Sequence, residues 1–265
     1  MGGDAICRGP RLDRLGVGME TARKIRNAVL RVELLRQAGE DNPPLRAAVG
    51  EIKRVQSRRF AGTYADLLAG GPYAAAAQFF LEELYSDKDY AERDAQFARI
   101  AGAIEKLFPE QVAATAVALA GLHAMTEELD QAMALAWLAQ VDDEMTAAQR
   151  YVAAWREVGR RPDREGQLRV VLGIGHQMAR LTRTAGLRTM LRMMRGPGAA
   201  AGLGALQRFL ECGFDTFGAM AKRPGGAEGF LEIIEARESA LMSRLFDADL
   251  VACETELAQT LGQAP

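Results

Sequence analysis

The chain has 265 residues, 49% of them apolar, which is enough to bury the core of one domain of about 200 residues. A net charge of −2 excludes a generally basic nucleic-acid binder, and three cysteines at 7, 212 and 253 without metal-ligand spacing exclude a disulfide scaffold and a zinc site. The longest uncharged run, Gln111–Thr126, is too short and too polar to cross a bilayer, and Arg8, Arg11 and Arg14 interrupt any signal-peptide core.

Residues 1–18 are glycine-rich and lack periodicity. They read as a disordered leader, or as the product of an upstream start, because the helical pattern begins after Met19. From Thr21 to Gln37, Ile25, Val29 and Val32 recur at helical spacing. Pro43 and Pro44 open the next helix, where a missing N–H costs nothing, and it runs towards Phe60. Thr63 and Asp66 offer a capping pair for a short helix over Tyr64–Leu68, and Gly70-Gly71-Pro72 stops and restarts the chain.

The alanine run 74–77 leads into Phe79-Phe80-Leu81-Glu82-Glu83-Leu84-Tyr85, the densest cluster of large apolar side chains in the sequence. As a helix it is apolar nearly all round, so it is expected to be central. Glu82 and Glu83 are adjacent and point about 100° apart on a helix, which argues against an acid–base pair. Ser86 and Asp89 can cap a helix over Tyr90–Leu107. Pro109 starts another through Leu119 and Leu122, with Thr126 as a re-capping position before Leu129, Met133 and Trp137. Thr146 and Gln149 form a capping box for Tyr151–Val158. Helices are then expected over Asp163–Thr184, Leu187–Arg195, Ala199–Met220 and Phe230–Phe246, with a break at Gly196-Pro197-Gly198. Residues 247–265 are acidic and weakly apolar and read as a flexible tail.

No stretch alternates with the period of a strand. The expectation is an all-α protein: a single globular domain of about ten helices over residues 19–246, with the FFLEELY motif at 79–85. That heptapeptide resembles the signature of a family of uncharacterised bacterial FFLEELY-motif proteins. The likeness extends over segments around Arg59–Leu68, Gln96–Arg99, Ala118–Asp130, Tyr151–Arg156 and Leu191–Phe217. The resemblance brings no activity, cofactor or catalytic residue with it.

Two constellations stand out. Arg188, Arg192 and Arg195 recur at i, i+4 and i+7, so three guanidinium groups share one face and run into Gly196-Pro197-Gly198. Arginine forks and the free N–H groups of a helix start near Ala199–Gly202 suit an anion, whereas pairing with neighbouring acids would make the stripe structural. His123 borders an apolar face late in its helix, where a helical protein could keep a haem ligand; a histidine bonded to a neighbouring helix is the plainer reading. Cys212 reads as a buried thiol. The charge is uneven: residues 1–60 hold 13 Lys/Arg against 7 Asp/Glu, and residues 228–265 hold 2 against 8.

No catalytic motif and no metal or cofactor motif is present, so no catalytic residue and no cofactor is assigned, and the balance is against an enzyme. The expected function is that of a cytoplasmic interaction or scaffold protein whose contact is another protein or a second copy of the chain, not nucleic acid or membrane. The alternatives are a small-molecule sensor or carrier, holding haem through His123 or an anion at the arginine stripe, and an enzyme site assembled from dispersed residues.

Overall fold

The apolar spacing folds as helix nearly throughout, and no strand occurs among the described residues. The computed structural model describes residues 13–140, 142 and 144–264, with side chains described from Glu20 onward. Thirteen helices follow in order among these residues: α1 (Asp13–Glu40), α2 (Pro43–Thr63), α3 (Ala65–Leu68), α4 (Ala74–Glu83), α5 (Ala91–Leu107), α6 (Glu110–Ala139), α7 (Ala147–Val158), α8 (Arg161–Leu181), α9 (Leu187–Met193), α10 (Arg195–Ala200), α11 (Gly204–Met220), α12 (Gly226–Asp247) and α13 (Leu250–Gly262). None of them is long and apolar enough to cross a membrane.

The axis of the fold is α6. Its 30 residues span about 45 Å, and it packs against α1, α2, α5, α7 and α8. Buried alanines at 113, 120, 124, 134 and 136 let those neighbours approach closely. The core consists of three apolar clusters, two of which include α6. One joins α1, α5 and the first half of α6 through Ile25, Val32, Ala101 and Ile104. A second joins α2, the end of α6, α7 and α13 through Ile52, Met133, Val152 and Leu257. The third joins the end of α2 to α4, α8, α11 and α12 through Phe60, Phe80, Phe217 and Phe230.

Several expectations are corrected by this arrangement. The central helix is α6, not the FFLEELY helix: α4 packs chiefly on α11, α3 and α2, and it ends at Glu83, so that Leu84 and Tyr85 leave the helical path. Thr126 does not re-cap α6. Its hydroxyl donates to the Leu122 carbonyl inside one unbroken helix. Gly196-Pro197-Gly198 is not a break, because all three residues lie in the short α10, with Pro197 in the first turn where its missing N–H is no loss. Residues 1–12 of the expected leader lie outside the described residues, and residues 13–18 belong to α1. The expected flexible tail contains α13, capped by Asp249 and docked on α2 and α7 with Cys253, Leu257 and Leu261 buried. The contact depends on Gly62, where a methyl group would lie 1.9 Å from the Thr260 carbonyl oxygen. The capping box at Thr146 and Gln149 is formed as the sequence indicates.

Candidate functional site

Where the three apolar clusters meet, the interior is polar. A cavity of about 170 Å³ lies between α2, α5, α6, α7, α8 and α12, with the end of the FFLEELY segment in its wall. Charged residues reach it from separate helices: Lys53 and Arg59 from α2, Arg93 and Asp94 from α5, Glu127 and Asp130 from α6, Arg164 from α8 and Glu238 from α12. Burying so many charges is unfavourable unless they are paired and hydrogen-bonded.

Most are paired. Arg59 Nη1 donates to Glu238 Oε1 at 2.6 Å, and the Tyr64 hydroxyl donates to the same oxygen at 3.0 Å. Burial works against the Arg59 guanidinium, but Glu238 outweighs it and raises its pKa. Lys53 Nζ lies 2.6 Å from Glu127 Oε1. Burial again opposes the charge, and Glu127 and Asp130 more than restore it. Asp94 accepts from Arg36 Nη2 and meets His123 Nε2, both at 3.0 Å. Burial alone would raise the Asp94 carboxyl, yet the bonds to His123 and Arg36 hold it below the usual range. Arg93 is stacked between the rings of Tyr90, at 3.9 Å, and Phe209, at 4.6 Å, with Glu83 at 3.4 Å.

Burial outweighs the neighbours at Arg93, whose pKa it pushes down, and most plainly at Asp130 and Arg164. Asp130 accepts a single bond, from the Gln56 amide at 2.9 Å, and burial pushes its pKa up to about 6. Arg164 is 4% exposed. Its Nε reaches the Gly159 carbonyl at 3.4 Å, while its Nη2 has no hydrogen-bond partner among the described residues. The guanidinium lies 3.5 Å from the centre of the Trp155 ring, whose own Nε1 is also buried with no hydrogen-bond partner among the described residues. Burial pushes the Arg164 pKa down. The local chain explains the approach. Gly159 and Arg160 both take positive φ, at 60° and 56°, in the turn between α7 and α8. This brings Trp155, in the last turn of α7, against Arg164, in the first turn of α8. The left-handed conformation is free for Gly159 and costs Arg160 about 1–2 kcal/mol.

The residues singled out from sequence fall differently. From the FFLEELY segment, Glu83, Leu84 and Tyr85 line the cavity. Phe79 and Phe80 are buried in the third cluster, Leu81 packs against it, and Glu82 is exposed and bonded to Gln78. Glu82 and Glu83 do not converge. His123 lines the cavity, and its Nε2 meets Asp94 in a carboxylate–histidine pair. In the arginine stripe, two of the three guanidinium groups meet acids of α11. Arg188 pairs with Asp215 at 2.8 Å and Arg195 grips Glu211 with Nε and Nη2. Arg192 lies close enough to Glu211 to help hold that carboxyl at about 2, after the Arg195 bond. The N–H groups of Gly198, Ala201 and Gly202 are spent on the carbonyls of Met194, Pro197 and Ala199. Cys212, expected to be buried, is exposed.

Sequence reasoning missed Arg59, Asp94, Asp130, Arg164 and Glu238. The available signal was a charge inside an apolar stripe. Asp130 lies between Thr126 and Met133 on α6, and Glu238 between Ile234 and Leu241 on α12. Periodicity marks such positions as inward-facing but cannot say that five helices bring them to one place.

No curated protein and no solved structure matches the chain. Residues 35–251 match a family described as a domain of unknown function (DUF8198). That span takes in α2 to α12 whole, and with them the FFLEELY segment and every charged residue of the cavity named above. The protein belongs to the DUF8198 family.

Proposed function

We propose that this protein binds a small organic acid in the central cavity, with the acid group seated on Arg164 and Trp155. The observation that carries the reading is the pair of buried donors, Arg164 Nη2 and Trp155 Nε1, which have no acceptor among the described residues and belong to two side chains that line the cavity. A carboxylate or phosphoryl group supplies that acceptor, and a guanidinium binds either in a forked geometry. The cavity is of the size that holds a ligand of benzene's bulk or a little more. The interaction scaffold favoured by the sequence needs no such charged interior, and the Arg188/Arg192/Arg195 alternative has lost two of its arginines to neighbouring acids.

The test uses the two tryptophans, Trp137 and Trp155. A Trp137→Phe variant leaves Trp155 as the reporter. Titration with hexanoate or benzoate is expected to give a saturable emission change and a raised melting temperature. Arg164→Gln is expected to weaken binding by roughly 10- to 100-fold, as loss of a charge-assisted bond should. Equal binding by Arg164→Gln, or no saturable binding at all, would sink the proposal. Added salt is expected to weaken a buried seat of this kind only slightly.

One observation favours a second reading, catalysis at the same cavity. A histidine held by a carboxylate is a common acid–base arrangement, and His123 and Asp94 face the space where the ligand would lie. Deuterium exchange into the carbon next to the carboxylate of the bound acid, lost in His123→Gln, is its expected sign.

A further inference from the structure

Beside the polar cavity lies a second one of about 70 Å³, lined by Phe79, Phe80, Ile174, Met178, Leu210 and Phe217 among others, with no charged side chain. The two lie side by side: Leu84, Leu119, Leu122, Val171 and Phe209 line both.

Two helices run along both cavities and grade from charged to apolar in opposite chain directions. On α8, Arg164, Gln167, Leu168 and Val171 face the first, and Val171, Ile174, Gly175 and Met178 face the second. These positions recur every three or four residues, so a single face of α8 lines the whole length, about 20 Å from Arg164 to Met178. On α6, Asp130, Glu127, Thr126 and His123 face the polar end, and Leu122 and Leu119 the apolar end. The FFLEELY segment stands at the junction. Tyr85 and Glu83 face the polar side, Phe79 and Phe80 the apolar side, and Leu84 both.

From this we infer that the ligand is an amphiphilic carboxylic acid: a straight or lightly branched chain of medium length whose carboxylate meets Arg164 and Trp155 and whose tail lies in the apolar cavity. The inference rests on the reading of Arg164 and Trp155 as an acid seat. An acid without a tail would leave the apolar arm unused, and an apolar molecule without an acid would leave both donors unmet. A cavity of about 150 Å³ takes one benzene, so the two cavities together have room for on the order of ten heavy atoms. Octanoic and decanoic acids are of that size.

The test is calorimetric titration of the full chain with sodium butanoate, hexanoate, octanoate, decanoate and dodecanoate, and with 1-octanol. Affinity is expected to rise about fourfold for each methylene buried, and to stop rising near eight to ten carbons. Two substitutions in the apolar arm should move that limit in opposite directions. Ile174→Phe fills the arm and should shorten the best chain by about two carbons. Met178→Ala enlarges it and should lengthen the best chain. Butanoate affinity should be unchanged in both, which also shows that they fold.

If all chain lengths bind alike while Arg164→Gln abolishes binding, the acid seat stands and the inference about the tail is overturned. If 1-octanol binds as tightly as octanoate, the tail is held without the acid and both readings fail. If no acid of any length binds, both fail together.

Discussion

Asp130 is a carboxyl with one amide for a partner, and its environment makes two linked predictions. Its pKa stands at about 6 against an ordinary value of 3.8, so the folded protein holds this proton more tightly than the unfolded chain does. The contribution of the group to stability therefore falls as pH rises from about 4 to about 6, by on the order of 3 kcal/mol in all. Asp130→Asn is expected to remove that slope. Its stability advantage over wild type in urea melts should grow between pH 4 and pH 7, and an advantage that stays constant would show that Asp130 is charged throughout. The groups around it are Lys53, Glu127, Arg164, Gln56 and Tyr151. Because Asp130 carries its charge near Arg164 only above about pH 6, octanoate is expected to bind more tightly at pH 5.5 than at pH 7.5, and less so in Asp130→Asn. The Arg59–Glu238 pair is the opposite case, closely matched and dry. Glu238→Gln should cost about 3–5 kcal/mol, because it strands a buried guanidinium. The double change Arg59→Met with Glu238→Leu should cost less than either single change, measured by denaturant midpoint.

At the scale of elements, α4 and α13 carry the sharpest expectations. Phe80 is 3% exposed and touches Phe60, Phe79 and Phe230 with ring centroids 5.2 to 6.4 Å apart. Phe80→Ala should therefore destabilise by about 3–5 kcal/mol although α4 is not the central helix. A loss under about 1 kcal/mol would mean that the aromatic cluster closes over the gap. Removing α13 takes away the buried Cys253, Leu257 and Leu261 and exposes the faces of α2 and α7 on which they pack. The expected cost is on the order of 5 kcal/mol, or roughly 10–20 °C in melting temperature. Gly62→Ala in the full chain should reproduce much of that loss, since the methyl group and the Thr260 carbonyl cannot share the space. In the chain lacking α13 the same substitution should be neutral or mildly stabilising, because alanine favours helix. A Gly62→Ala penalty that persists without α13 would place its cause elsewhere.

Across the whole molecule, stability is expected to be uneven. Both α2 and α6 are shared between apolar clusters and should hold the slowest-exchanging amides. No residue of α9 is buried and in α10 only Gly198 is, so residues 187–202 rest on surface ion pairs with α11, on the Gln207 amide, which donates to the Leu191 carbonyl, and on Arg99, which donates to the Ala201 and Gly202 carbonyls. Exposed pairs contribute little, so hydrogen exchange should be fastest there. Slow exchange across α9 and α10 would overturn this picture. Binding of a medium-chain acid should slow exchange in α6 and α8 and leave α9 and α10 as they were.

Local rules were legible where local energies decide. The helical class, the start of α2 at Pro43 and Pro44, the capping box of α7 and the divergence of Glu82 from Glu83 all follow from spacing, backbone chemistry and side-chain reach within a turn or two. The failures share one cause, which is that packing at long sequence separation outweighs weak local signals. Thr126 could cap a helix, but burial on five sides keeps α6 continuous. Residues 247–265 have too few apolar side chains to order themselves, yet Cys253, Leu257 and Leu261 are enough once α2 and α7 present a matching surface with a glycine at 62. Three arginines at helical spacing suit an anion until Asp215 and Glu211 on α11 neutralise two of them. The sequence by itself determined that the protein is a set of amphipathic helices around an apolar interior. Only the tertiary structure decided that charges from five helices converge inside that interior, and that Arg164 and Trp155 meet there with donors to spare, because a charge on one helical stripe carries no record of which stripe it will face.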